Sequence, residues 1–363
     1  LPPPAAGSGG GGGPSGGGPS GAGGGDERLT RAFWRSRAPK RPTGNGKLAD
    51  RFGTVPFDVI DAKKGPHQAR KKQWHAIIDD GGRGGSTLGR KDNLIGAGYA
   101  ALGGGRAGQA NAGTSEYDPV VGEFAHRFYC PKPSRVCPRR GGRPVVVVDP
   151  FAGGSVRGIL AAKLSCLYIG IDISPEQVAA NKAQLHVCDD CVYKPRWVVG
   201  DGEDVVALVR KELAAAGLPP DTPADFVHTC PPYFNLEKYT DLPDDLSNLP
   251  SYDAFLVKYR RVLKAALSLL RPQHIAFVVV GNVRDQKTGE QLSLHTDTVT
   301  ALKDAGGKIY QDGTLETMAG SAPLRAGRIA ASASKLTPVS QRFVVACKDV
   351  CLNTAGARAA GIG

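Results

Sequence analysis

Two short segments carry side chains that could do chemistry together. One is Asp149-Pro-Phe-Ala-Gly-Gly-Ser155 and the other is Cys230-Pro-Pro-Tyr-Phe234. In the first, Gly153 and Gly154 let a backbone turn approach a ligand closely. In the second, Cys230 and the Pro231 carbonyl offer acceptors for a polar hydrogen, and Tyr233 offers a flat face to a planar group, with Pro232 and Phe234 on either side. Each segment follows a strand-like apolar run, Val145-Val-Val-Val148 and Phe226-Val-His-Thr229. Each therefore falls at the carboxyl end of a parallel strand, where open α/β sheets bind ligands. Two acids occupy equivalent places: Asp172 closes Leu167-Tyr-Ile-Gly-Ile-Asp172, and Asp201 follows Trp197-Val-Val-Gly200. Taken singly each is a strand-end turn acid, but together, after consecutive strands, they form a constellation.

The elements that must hold these residues are legible from residue 145 onward, where apolar strand runs alternate with helical patterns. Strands are expected at 145–149, 167–172, 197–200, 225–229, 274–281, 308–317 and 342–347. Helices are expected at about 155–164, from a start signal at Ser174, at 203–216, at 252–270 and at 292–305. Ser174 reads as an N-cap, with Pro175 at the first helical position and Gln177 three after the cap. Gly217 and Pro219 stop the helix at 203–216. The expected fold is α/β, a Rossmann-like seven-stranded sheet, mostly parallel, with helices on both faces. Upstream, Arg70-Lys-Lys-Gln-Trp-His-Ala-Ile-Ile78 reads as the start of a short basic amphipathic helix, and residues 117–128 as a turn leading into a helix.

This arrangement resembles the S-adenosylmethionine-dependent DNA amino-methyltransferases, of phage and bacterial type, which methylate adenine N6 or cytosine N4. The resemblance runs from about residue 52 to 348 and is most specific between Asp149 and Tyr233. It also takes in Thr114-Ser-Glu-Tyr-Asp-Pro119, like the segment that closes over the cofactor's carboxylate in that family, and Val55-Pro-Phe-Asp-Val-Ile-Asp-Ala-Lys-Lys-Gly65, like its leader. It implies a cofactor site of Ser115, Tyr117, Asp118, Asp149, Phe151, Gly153, Gly154, Asp172 and Asp201, with Asp172 on the ribose hydroxyls and Asp201 reaching the adenine. It implies that Cys230, Pro231, Pro232 and Tyr233 do the catalytic work. The first side chain and a proline carbonyl would hold the amine hydrogens, while Tyr233, with Phe234 beside it, stacks on a base flipped from the helix. Family members carry Asp, Asn or Ser where this chain has Cys230. Sulfur is a weak acceptor, so more of the orientation would rest on the Pro231 carbonyl. The size match to Ser leans toward cytosine, and a weakened activity stays open.

The chain has 363 residues, a net charge of +12 and a pI near 9.3, a balance that favours a polyanionic partner. DNA is the expected partner, met by the basic amino-terminal region and by a basic loop carrying Arg325, Arg328 and Lys335 as substrate-binding residues; RNA is the alternative. The Gly/Pro-rich start and the basic run after it (1–51) read as a disordered tail. Residues 52–113 read as a basic leader with a glycine-rich insert, 114–350 as the catalytic domain and 351–363 as a flexible tail. No run approaches a transmembrane helix. The chain opens on Leu1, so its true start is expected upstream and a targeting peptide stays open; an intracellular home, nucleus or organelle included, is expected. Arg35-Ser-Arg-Ala-Pro-Lys-Arg41 is a weak nuclear-address signal.

Three other readings compete. Gly96-Ala-Gly98 and Gly103-Gly-Gly105-Arg-Ala-Gly108, with Glu116 beyond, fit a dinucleotide pattern but lack a preceding strand. Cys188-Asp-Asp-Cys191 has zinc-ligand spacing, and Cys130 with Cys137 could complete a tetrahedron; free thiols are the favoured reading, and no metal is expected. A non-catalytic nucleic-acid-binding relative of the fold is the third.

Overall fold

The computed structural model describes residues 46–63, 65–78, 116–132, 143–285, 288–317, 326, 330–331, 334–336 and 338–349. The described chain begins with α1 (Gly46–Phe52), β1 (Val59–Asp61), α2 (Gly65–Ile78) and α3 (Pro119–Tyr129). Strands and helices then alternate: β2 (Val145–Asp149), α4 (Val156–Lys163), β3 (Cys166–Asp172), α5 (Pro175–Ala183), β4 (Arg196–Val199), α6 (Val205–Ala215) and β5 (Ala224–Thr229). After them come α7 (Tyr252–Leu269), β6 (Leu270–Val280), the hairpin β7 (Val283–Arg284) and β8 (Gln291–Leu292), α8 (Leu294–Asp304), β9 (Gly307–Glu316) and β10 (Ser340–Lys348).

The sheet order is β1-β9-β10-β6-β5-β2-β3-β4. Strands β2 to β6 are mutually parallel, and β10 runs antiparallel between β6 and β9. This is the expected Rossmann-like α/β sheet, with one strand more. The eighth, β1, comes from the leader and pairs parallel to β9 in the register Val59↔Thr314. Three residues are too few to show a period. The close approach depends on Gly313, where a Cβ would stand 2.5 Å from the Asp58 carbonyl and 2.2 Å from the Phe343 ring. All five residues of β2 are buried, as a strand covered by helices on both faces requires.

Helix α5 starts as its capping signal indicates: the Ser174 hydroxyl accepts from Gln177 N–H at 3.1 Å. The Gln177 side chain reaches forward along the helix. It donates to Asn181 Oδ1 at 2.9 Å, and Asn181 in turn donates to the Gly153 carbonyl at 2.7 Å. The helix thus reaches across to brace the glycine turn.

Helix α2 carries part of its basic face inward. Buried Arg70 grips buried Glu123 of α3 through Nε and Nη2, both at 2.8 Å, and Trp74 Nε1 donates to the same carboxylate at 2.8 Å. Arg127 adds a fourth contact at 2.8 Å. A single carboxylate thus joins α2 to α3. Removing one partner of such a buried network costs about 3–5 kcal/mol because the remaining charges lose their compensation. Glu123→Ala is expected to lower the stability to urea by about that amount; a midpoint within error of wild type would show that the network contributes nothing.

Candidate active site

The glycine turn is built on a charge that never reaches solvent. Asp149 is 0% exposed, and its two oxygens accept from Arg157 Nε (2.6 Å), Tyr168 OH (2.8 Å), Thr229 Oγ1 (2.7 Å) and the Phe151 N–H (3.1 Å). These donors belong to α4, β3, β5 and the turn itself. Arg157 also donates to the carbonyls of Phe151 (2.6 Å) and Ala152 (3.0 Å). Asp149, expected in the cofactor site, shapes the glycine turn from beneath. Burial works against the Arg157 charge, but the Asp149 charge outweighs it and raises the guanidinium's pKa.

Above this peg, Gly153 sits at φ +51°, a region glycine enters without a Cβ penalty. A Cβ there would meet nothing within 4 Å, so the space over the turn is open. Gly154 beside it is half-buried. Gly153 N–H donates to Asp172 Oδ2 at 2.7 Å, and Ser174 N–H to Oδ1 at 2.9 Å. Burial pushes the Asp172 carboxyl up to about 6, against the pull of those two N–H groups, with the charges of Asp149 and Asp245 adding to the rise. Asp201 follows β4 and caps a short turn, accepting from Glu203 N–H at 2.9 Å. Its other oxygen takes Lys258 Nζ at 2.5 Å, and the same ammonium donates to the Asp244 carbonyl at 2.7 Å.

Strand β5 lies next to β2, so its turn opens beside the glycine turn. Cys230 Sγ lies 3.5 Å from Tyr233 OH, which accepts from Gln341 Nε2 of β10 at 3.2 Å. Burial pushes the Cys230 thiol up, offset in part by the Arg157 charge and the Tyr233 hydrogen bond; it therefore carries its proton at neutral pH. The half-buried Tyr233 ring lies over Gly281, where a Cβ would stand 2.9 Å from it. Pro231 is buried and Pro232 half-buried. Phe234, expected beside Tyr233 in the substrate site, turns into the core. It is 4% exposed at φ +52°, with its ring 5.6 Å from Tyr252 and 5.7 Å from Phe255. A left-handed backbone at a non-glycine residue costs on the order of 1–3 kcal/mol. The apolar packing of Phe234 holds that turn shut. Just beyond, Leu236, Tyr239 and Leu242 form an exposed apolar edge, with Tyr239 OH donating to Glu237 at 2.7 Å.

The upstream segment is tied to the same centre. Tyr117 OH meets His228 Nε2 of β5 at 2.8 Å, and the Arg157 guanidinium lies 4.7 Å from the Tyr117 ring centroid. Phe151 packs its ring against Tyr259. Asp118, expected in the cofactor site, caps α3 by accepting from Val120 N–H at 2.9 Å. It also takes His67 at 3.2 Å and Lys71 at 3.0 Å; burial opposes its charge, but these two partners hold the carboxyl well below its usual range. Ser115, Arg325, Arg328, Cys137 and the glycine repeats of 96–108 lie outside the described residues. Lys335 donates to the Gly289 carbonyl at 3.1 Å, against the β7–β8 hairpin. Cys188 and Cys191 stand together, while Cys130 is buried in the core. Among the described residues no group of three or more His, Cys, Asp or Glu side chains could hold a metal ion, and no helix is long and apolar enough to cross a membrane.

Arg157, Lys258, His228 and Gly281 escaped the sequence reading. Arg157 had one signal, a lone charge in Val156-Arg-Gly-Ile-Leu-Ala-Ala162. The others are defined by partners far away in the chain.

No family model and no curated protein matches the chain. Among solved structures, TrmN of Thermus thermophilus is 14% identical, covering 65% of this chain and 51% of its own, with a TM-score of 0.37. A proposed DNA modification methylase of the same organism is 20% identical over 43% of this chain and 55% of its own, at 0.30. An S-adenosylmethionine-dependent methyltransferase of Agrobacterium tumefaciens is 15% identical over 67% and 66%, at 0.37. The chain spans about half the length of the first two.

Two buried histidines beneath the site set its acid limit. Burial pushes His126 down to about 4, against a hydrogen bond to the Gly122 carbonyl and the Asp149 charge, and drives neighbouring His228 well below its usual range. The unfolded chain takes up these protons near pH 6.5, so stability falls as pH drops from there toward 4. His126→Asn removes one of the two groups. Its deficit against wild type is expected to narrow over that descent in a series of thermal melts; a constant gap would refute the assignment.

Proposed function

We propose that this chain methylates an exocyclic base amine in DNA, cytosine N4 or adenine N6, with S-adenosylmethionine as cofactor. One observation carries the reading: the open glycine turn and the Cys230–Phe234 turn stand at the carboxyl ends of adjacent parallel strands, joined directly by Thr229 and Asp149. The residues present fit the cofactor. Gly153 leaves clear space over its backbone, and Asp172 and Asp201 line the ends of the next two strands. Asp172 would hold the ribose hydroxyls and Asp201 the adenine edge. When bound, the cofactor supplies an electrophilic methyl group.

The remaining work belongs to the catalytic turn. A base amine is a poor nucleophile because its lone pair is delocalised into the ring, so its hydrogens must be held to turn that pair outward. The Pro231 carbonyl is the stronger acceptor here, since the Cys230 sulfur accepts weakly. The Tyr233 ring, steadied by Gly281 beneath it and Gln341 at its hydroxyl, would stack on the flipped base, worth about 1–3 kcal/mol. A protonated, half-buried Cys230 supports a direct transfer over a covalent cysteine adduct. DNA affinity would draw on exposed Arg51 and Lys72 and the basic residues before them, because Lys63, Arg70 and Lys71 are paired with acids of the fold.

Nucleosides from DNA and RNA incubated separately with the protein and labelled cofactor test this reading by mass spectrometry. N4-methylcytosine or N6-methyladenine from DNA is expected. Tyr233→Ala should abolish most transfer with cofactor binding kept, whereas Cys230→Ser, a better acceptor of similar size, should preserve or raise it. Product on cytosine C5 alone, or on RNA alone, would overturn the proposal.

Cofactor affinity should also fall with pH. Ribose hydroxyls are best held by an ionised Asp172, whose carboxyl takes up its proton near pH 6. Affinity measured by calorimetry should drop by up to about tenfold per unit below that pH. Asp172→Asn should bind weakly at every pH with no such slope; binding as tight as wild type would remove the ribose assignment.

A further inference from the structure

A second site lies away from this centre, in the turn between α5 and β4. Its position, before the amino end of β4, puts it at the end of that strand opposite Asp201. Residues Leu185–Cys188 form one 3-10 turn, and Cys191 N–H donates to the Cys188 carbonyl at 3.0 Å. Side chains three apart on such a turn eclipse. The two thiols lie side by side and each shifts the other's proton affinity. A turn closed in this way keeps its end Cα atoms within about 7 Å, and disulfides bridge Cα atoms about 4.4–6.8 Å apart. The bond can therefore form with little backbone movement.

The surroundings favour sulfur chemistry over inert burial. Asp189 and Asp190, between the cysteines, pair with Lys194 at 2.6 Å and Lys163 at 2.5 Å. This brings two ammonium groups beside the sulfurs. The contact with Cys191 and the Lys163 and Lys194 charges hold the Cys188 thiol below its usual range; the same contact and burial push Cys191 up. Cys188 is fully buried against the core, whereas Cys191 is partly open to solvent. One sulfur can thus meet a reagent while the other waits behind it.

We propose that Cys188 and Cys191 form a reversible dithiol–disulfide site for small disulfides of the glutathione type. The Cys191 sulfur attacks one sulfur of the reagent as its proton passes to the departing sulfur; a mixed disulfide forms and one thiol leaves. The Cys188 sulfur then attacks Cys191, closing the internal bond and expelling the second thiol. The protein loses two electrons and two protons, and the reagent becomes two thiols. This site is independent of the methyl-transfer reading.

The test uses the full folded chain equilibrated with glutathione disulfide, then quenched with iodoacetamide in denaturant and digested with trypsin. Residues 183–196 form one fragment holding Cys188 and Cys191 and no other cysteine, because Lys194 precedes a proline. Loss of two hydrogens and of both alkyl groups from this fragment is expected, reversed by dithiothreitol. Cys188→Ser should instead accumulate a glutathione adduct on Cys191, and Cys191→Ser should stay unmodified. Two alkyl groups on the wild-type fragment, or a lasting glutathione adduct there, would overturn the proposal. Should Cys188→Ser fail to fold, the wild-type fragment and Cys191→Ser decide the question alone.

Discussion

The buried pair of Asp149 and Arg157 is the constraint on which the site depends. A carboxylate taken fully out of water is tolerable only where its lone pairs are filled and a counter-charge stands close. Asp149 meets both conditions by drawing donors from β3, β5, α4 and its own turn. Each donor is thereby held at a fixed distance from the others. Arg157, having satisfied Asp149, uses its remaining N–H groups on the carbonyls of Phe151 and Ala152 and its face on Tyr117. The glycine turn, the start of the Cys230–Phe234 turn and the upstream segment are therefore registered to one ion pair. The open backbone at Gly153 is available to a ligand because the acid below it is not.

A second layer connects that rigid base to the loop beyond Tyr233. Lys258 links Asp201 to the Asp244 carbonyl, and Asp245 fills its oxygens with Thr240 and Ser247. The exposed Leu236–Leu242 edge is thus anchored at its far end to an acid of the proposed cofactor pocket. A ligand that engages Asp201 acts on the same ammonium that holds the loop.

Legibility in the sequence followed the range of the interaction. Strands β2, β3, β5 and the second half of β6 were readable because burial on both faces writes a continuous apolar run into a few adjacent residues. Ser174 and Pro175 announced α5 through contacts within one turn. Strand β1 is three residues long and owes its existence to Gly313 and Phe343, some 250 positions on. Phe234 could not be told from a binding-face aromatic, since nothing adjacent says whether a ring turns toward Tyr252 and Phe255 or toward solvent. The inward turn of Arg70 was hidden for a like reason: a basic residue on an amphipathic helix reads as solvated until Glu123 appears opposite it.

The net charge of +12 consequently overstates what the folded body can offer a polyanion. Arg70, Arg127, Arg157 and Lys71 are absorbed by Glu123, Asp149 and Asp118, and Lys258 by Asp201. These cations pin elements together, and their counter-charges sit in low-dielectric surroundings where screening by salt is weak. Charge left for a nucleic acid lies on exposed positions, where each contact is salt-sensitive and sequence-blind. On the proposed reading, selectivity for one base would come from the shape of the pocket at Tyr233 and the acceptors at Cys230 and Pro231. The sulfur of Cys230 would bear directly on that choice: a weak acceptor would shift the burden of orienting an amine onto backbone geometry, which the strained, tightly packed Phe234 keeps in place.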